Sequence, residues 1–205
     1  MARRVLACTA CHGAEGRAVG SAFVPRIAGK PAGYLYRQML NFRDGQRRHE
    51  GMARLLAPLS NEYLREIAAH FAALDLPWPT PQPGPATPAL LAQGEQLVRQ
   101  GDVARRVPAC TACHGAALTG VAPAVPGLLG LPHDYITAQL GAWRAGTRRA
   151  LAPDCMHDVA ARLSPEASAA VAAWLTRQPM PADHRAVAAL PAPMPLRCGA
   201  APEAR

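Results

Sequence analysis

The sequence predicts an all-α protein in which one small helical domain is used twice. Three observations carry that prediction. Apolar residues recur at helical spacing in five stretches, and no convincing run alternates apolar with polar residues as a strand would. The first half of the chain reappears in the second at an offset that drifts only between 101 and 104 residues. Between the halves, Pro77 to Pro88 reads PWPTPQPGPATP. Repeated proline forbids helix there and favours an extended, semi-rigid spacer along the surface.

The elements follow in order. Residues 34–42 form a helix with one apolar face, made by Tyr34, Leu35, Met39, Leu40 and Phe42. Residues 60–74 open on Ser60 and Glu62 and carry Leu64, Ile67 and Phe71 on one face. After the spacer, residues 89–100 give a short amphipathic helix with Leu90, Leu91, Leu97 and Val98. Residues 135–143 repeat the 34–42 helix. Residues 164–175 begin Ser164-Pro165-Glu166, a cap followed by proline at the first helical position. The rest is loop rich in Gly and Pro. This gives three or four helices per domain, with domains at 1–76 and 89–178, a linker at 77–88 and a Pro/Ala-rich tail at 179–205. The first domain has only residues 1–7 ahead of its first cysteine, so its opening helix reads as missing or severely shortened. The same stretch is too short for an export signal, and the chain reads as a mature or trimmed form, or one whose start was misplaced.

Composition narrows the function. Half of the 205 residues are hydrophobic but only 5% are aromatic, so a core of Ala and Leu would be thin and something else must supply apolar bulk. No apolar run reaches the length of a membrane-spanning helix, which leaves peripheral membrane contact as the membrane association open to it. The net charge is +8, yet the arginines lie in scattered pairs (Arg3-Arg4, Arg47-Arg48, Arg105-Arg106, Arg148-Arg149) without interleaved aromatics. That pattern argues against a nucleic-acid surface and suits docking to an acidic protein.

Four of the six cysteines stand in two identical frames, Cys8-Thr9-Ala10-Cys11-His12 and Cys110-Thr111-Ala112-Cys113-His114. C-x-x-C-H is the attachment signature of c-type haem. Two thiols three residues apart reach the two vinyl groups of one porphyrin, and the adjacent His lies under the iron as its proximal ligand. A thioredoxin-like motif would be single and preceded by a strand. A zinc site would need the pairs to converge, and they stand 102 residues apart. Two covalently bound haem c groups therefore supply the missing apolar bulk.

A haem that only transfers electrons needs a sixth ligand. Met52 and Met156 align in the repeat, each eight residues before the Ser that opens the last helix, and a duplicated domain reuses its ligand. His49 and His157 do not align with each other. Met39, Met180 and Met194 lack repeat partners and read as core filling or tail, and His70, His133 and His184 read as surface or loop residues. Pro25 and Pro126 follow their haem His by 13 and 12 residues. They read equally as plain turn prolines or as the source of a carbonyl that accepts the Nδ1 proton of the ligand.

With these residues in place the chain resembles dihaem cytochromes c of the cytochrome c4 family, which carry two class I cytochrome c domains in tandem. The resemblance rests on the paired C-x-x-C-H, Pro25/Pro126, Tyr34-Leu35 and Tyr135-Ile136, Phe42-Arg43-x-Gly45 and Trp143-Arg144-x-Gly146, and Met52/Met156. It covers about residues 5–178. It implies two His/Met haems facing across a domain interface and a periplasmic location. It also implies electron delivery from a quinol-oxidising complex or dehydrogenase to a terminal oxidase. The absent first helix, the tail and the extra Cys155 and Cys198 depart from the family pattern. In an oxidising compartment the even leftover pair favours a Cys155–Cys198 disulfide. Two free thiols, or Cys155 as a thiolate ligand, are the alternatives. The rival function is a dihaem enzyme, a thiosulfate dehydrogenase or a peroxidase, with one labile or Cys-ligated haem; Cys155 is its sole support.

Overall fold

A computed structural model describes residues 2–18, 23–80 and 83–201. Residue 1, positions 19–22 of the first half, positions 81–82 of the spacer and positions 202–205 of the tail lie outside the described residues. A 3-10 turn (Ala2–Val5) leads into α1 (Leu6–His12), then come a second 3-10 turn (Ala14–Gly16), α2 (Ala32–Arg43), α3 (Glu50–Leu56) and α4 (Asn61–Ala72). The second half runs α5 (Pro88–Arg99), α6 (Thr111–His114), α7 (His133–Arg144), α8 (Cys155–Arg162) and α9 (Pro165–Leu175). The sequence shows no strand, and the structure adds one small antiparallel ladder, β1 (Gly120–Val121) with β2 (Val125–Pro126). Two residues per strand are too few to leave a periodicity. None of the described helices is long and apolar enough to cross a membrane.

The helix ends are written locally. Ser60 and Ser164 accept the backbone N–H of Tyr63 and Ala167, and Thr87 accepts that of Leu90 ahead of Pro88. Each such cap stabilises by about 1 kcal/mol, and proline at the first helical position loses no hydrogen bond. Each half closes its own core. Leu35, Leu56, Leu64 and Phe71 pack in the first, and Val98, Ile136, Val171 and Leu175 in the second.

The halves differ at their last helix. In the second half α5 lies across α9 so closely that a Cβ on Gly94 would collide with the Ala170 carbonyl. Ala170 is 0% exposed, and α9 is apolar on nearly all sides. The repeat places Glu66 of α4 where Ala170 stands. Its carboxylate takes Arg4 of the N-terminal 3-10 turn at 2.9 Å, and Tyr63 donates to the Arg4 carbonyl. Thus α4 carries charge on a face that a helix in the position of α5 would bury.

The spacer and the tail are both tied down. Arg26 donates to the carbonyls of Leu76, Pro77 and Ala28, and stacks over Trp78 at 4.3 Å. Asp75 holds His184 and Arg185 of the tail, both at 2.9 Å, so His184 is an anchor rather than a plain surface residue. Val187 exchanges backbone bonds with Gly120 and Ala122. A disulfide joins Cys155 to Cys198, as the oxidising-compartment argument expects.

Gly94→Leu should therefore destabilise the second half by about 1–3 kcal/mol through overpacking. Glu66→Ala, on an exposed pair, should change stability by less than about 1 kcal/mol. Denaturant unfolding followed by circular dichroism checks both.

Candidate haem-binding site

The two cysteine frames occupy equivalent helices. Cys8, Cys11 and His12 close α1, and Cys113 and His114 close α6 behind Cys110. His12 Nδ1 lies 2.8 Å from the Pro25 carbonyl and His114 Nδ1 lies 2.8 Å from the Pro126 carbonyl. A carbonyl oxygen can only accept, so each Nδ1 carries the proton and each Nε2 keeps a bare electron pair. Burial pushes both imidazoles below their ordinary pKa, against the raising effect of the carbonyl bond. Both rings are therefore neutral and ready to bind a metal. Burial also raises the thiols of Cys8 and Cys113, and that of Cys110 to about 12. Cys110 packs on the second core. The other three frame cysteines, both histidines, Pro25 and Pro126 line a shared cavity of about 540 Å³.

Met52 and Met156 line that same cavity, each in the first turn of a short helix. His49 caps α3 by accepting the Met52 N–H at 3.2 Å. Asp154 caps α8 by accepting from His157 N at 3.1 Å and holds Ala150 N at 2.7 Å. His157 Nδ1 donates to the Trp143 carbonyl at 3.0 Å. His49 and His157 thus serve the backbone that presents each methionine. Met39 belongs to the first core and also lines the cavity, and so does Met194, which reads from sequence as filling or tail.

The seam between the halves repeats the duplication. Arg47 donates to Gln38 at 2.9 Å and reaches across to Tyr135 at 3.0 Å and Gln139 at 2.7 Å. Arg148 mirrors it, to Gln139 at 2.7 Å, Tyr34 at 3.4 Å and Gln38 at 3.0 Å. Each guanidinium also stacks on an aromatic ring, Phe42 or Trp143. This corrects the docking role expected for two of the arginine pairs, Arg47-Arg48 and Arg148-Arg149. Arg47 and Arg148 are 9% and 4% exposed and are seam residues, whereas Arg48 and Arg149 stand at the surface.

The cavity fits a c-type haem in each half by its donor set: thiols, a bare imidazole nitrogen, a thioether and apolar walls. The buried guanidiniums of Arg47 and Arg148 face it and pair only with neutral oxygens. That leaves room for anionic groups such as haem carboxylates. Among the described residues no three His, Cys, Asp or Glu converge on a metal position, so the zinc reading has no site.

One group escaped the sequence reading. Lys30, the only lysine in the chain, is 6% exposed and donates to the Gly127 carbonyl at 3.3 Å, with Trp78 5.4 Å from its amine. Its repeat counterpart is Leu131. A lysine with no partner in the repeat was the available signal. Burial pushes its amine down to about 8.

No family model matches the chain. A thiosulfate dehydrogenase electron acceptor of Thiomonas intermedia is 39% identical over 84% of this chain and 79% of its own length. Cytochrome c4 of Pseudomonas aeruginosa is 39% identical over 82% of each. The solved structure of cytochrome c4 from Pseudomonas stutzeri superposes with a TM-score of 0.72 at 32% identity, covering 85% of this chain and 94% of that one. A thiosulfate dehydrogenase structure from Marichromatium purpuratum gives a TM-score of 0.74 at 34% identity over 84% of this chain, which spans 36% of that longer chain.

The depressed Lys30 value has a sign. Between about pH 8 and 10.5 the unfolded chain keeps a proton that the folded chain releases. Stability is thus lowest below that window and rises with pH through it, by up to about 3 kcal/mol. Lys30→Met should remove this rise, leaving the tyrosine contribution in both proteins. Denaturant midpoints of the two at pH 7 and pH 10 check it.

Proposed function

The chain belongs to the cytochrome c4 family, and from that premise we propose that it is a periplasmic dihaem electron carrier with His/Met ligation in both domains. Cys8 and Cys11 hold one haem c and Cys110 and Cys113 the other. His12 with Met52, and His114 with Met156, provide the axial pairs. The domains run 1–76 and 89–178, joined by 77–88. One observation carries the reading: each half sets a Nδ1-protonated histidine, at least one cysteine of its frame and a helix-borne methionine around one cavity.

The bound haem supplies a reversible one-electron change at iron. The chain does the rest. The Pro25 and Pro126 carbonyls fix the ring orientation and enrich Nε2 in electron density. The Met thioethers favour the reduced state, and the apolar walls exclude water. The donor is a quinol-oxidising complex or a dehydrogenase, and the acceptor is a terminal oxidase. The relatives named as electron acceptors of thiosulfate dehydrogenase favour a sulfur-compound dehydrogenase as donor. The enzyme reading needs one labile or Cys-ligated haem and had Cys155 as its support; with Cys155 bonded to Cys198, the Cys-ligated form loses that support and the carrier is preferred.

The purified holoprotein should show a far-red Met-to-iron band and no spectral change with carbon monoxide. Met156→Ala should make about half of the haem bind carbon monoxide, and Met52→Ala the other half. A carbon monoxide shift in the unsubstituted protein would transfer the assignment to the enzyme.

A further inference from the structure

We propose that residues 179–201 are an insulating strap over the second haem site, leaving the first domain as the face at which an acidic redox protein docks. The inference rests on the dihaem reading and goes beyond it.

Four anchors fix the course of the strap. Asp75 holds it through His184 and Arg185. Val187 joins it to β1 by two backbone bonds, Ala122 N to Val187 O at 2.8 Å and Val187 N to Gly120 O at 3.0 Å. Met194 and Ala201 then pack on Val121 and Val125, beside the carbonyl loop of His114. Finally the Cys198–Cys155 disulfide and the Gly199 N to Pro153 O bond at 2.9 Å fasten it to the loop that precedes Met156. Gly199 is needed there, because a Cβ would collide with the Ala152 carbonyl. The strap thus runs from the His114 side to the Met156 side. Met194, Leu196, Cys198 and Ala200 form wall of the cavity between them.

Among the described residues the first domain has no such wall. Its counterpart of Cys155 is Gly51, which is exposed and lines the cavity. Phe23, at the rim, is 73% exposed. The repeat itself marks the difference. Three residues separate Arg48 from Met52, whereas six separate Arg149 from Met156. The additional residues form the loop to which the strap is bonded. Residues 1–76 carry eleven Lys or Arg against six Asp or Glu, a charge of +5 that attracts an acidic partner. Arg48 stands exposed at the cavity.

The test uses the oxidised holoprotein and a neutral gadolinium chelate that relaxes nuclei exposed to solvent. In the intact chain the haem methyl resonances of the first domain should be relaxed severalfold more than those of the second. In a chain ending at Gln178 with Cys155→Ser, the second set should rise to match the first while the far-red band persists. Equal relaxation in the intact chain overturns the strap, as does an unchanged second set in the shortened one. If the shortened chain loses its Met ligation, the intact comparison decides. Docking is read separately by reduction with an acidic flavodoxin hydroquinone at low salt. Arg48→Glu should slow it severalfold and Arg106→Glu, on the second domain, should not; the reverse order overturns the docking face. A pyridine haemochrome count other than two would instead sink the dihaem reading.

Discussion

Everything in the site depends on where one proton sits on the imidazoles of His12 and His114. A histidine binds iron through a nitrogen that has no proton, so the other nitrogen must hold it and must have somewhere to give it. His12 and His114 give it to the carbonyls of Pro25 and Pro126. Proline supplies a fixed φ and no competing N–H, which keeps that carbonyl turned inward. The short helices that carry the cysteine frames, and the loops that return to them, are arranged around this single contact. The short helices that carry Met52 and Met156 are held by a different device: a side-chain cap, His49 or Asp154, at the start of a helix too short to hold itself.

Duplication gave both halves the same solution, and selection then let them diverge where their surroundings differ. On α9 a neighbouring helix demanded small apolar residues, and Ala170 meets Gly94. On α4 the same position faces the N-terminal turn, and a Glu paired with Arg4 is stable there. The proximal loops diverge as well. Lys30 lies against Gly127 of the other domain, whereas Leu131 continues the apolar surface. A buried cation of one half against the loop that follows His114 in the other is an electrostatic asymmetry between two otherwise matched sites.

The fold was legible because its signals are local. The five helices were set by apolar spacing and by Ser or Thr followed by a capped turn, and their observed bounds lie within about two residues of the pattern. The cysteine frames and the repeat of Met52 and Met156 were legible as spacing. The disulfide was legible from parity and compartment. What could not be read depends on contacts between segments distant in sequence. Arg47 and Arg148 look like surface pairs until the folded chain brings each against the opposite helix. The ladder of β1 and β2 is too short for any period. The course of the tail is set by Asp75, Val187 and Cys155, which have no sequence pattern in common, so Met194 and His184 appeared unemployed.

The crossed arginines have a consequence for how such a chain can change over time. Arg47 is matched to Tyr135 and Gln139, and Arg148 to Tyr34 and Gln38, all at a constant offset of 101. A one-residue deletion between 39 and 46 would break the register of Arg47 with Tyr135 and Gln139, while Arg148 keeps its own bonds to Tyr34, Gln38 and Gln139. Length in this stretch is therefore constrained on both sides of the seam, while the loop just beyond it differs by three residues between the halves.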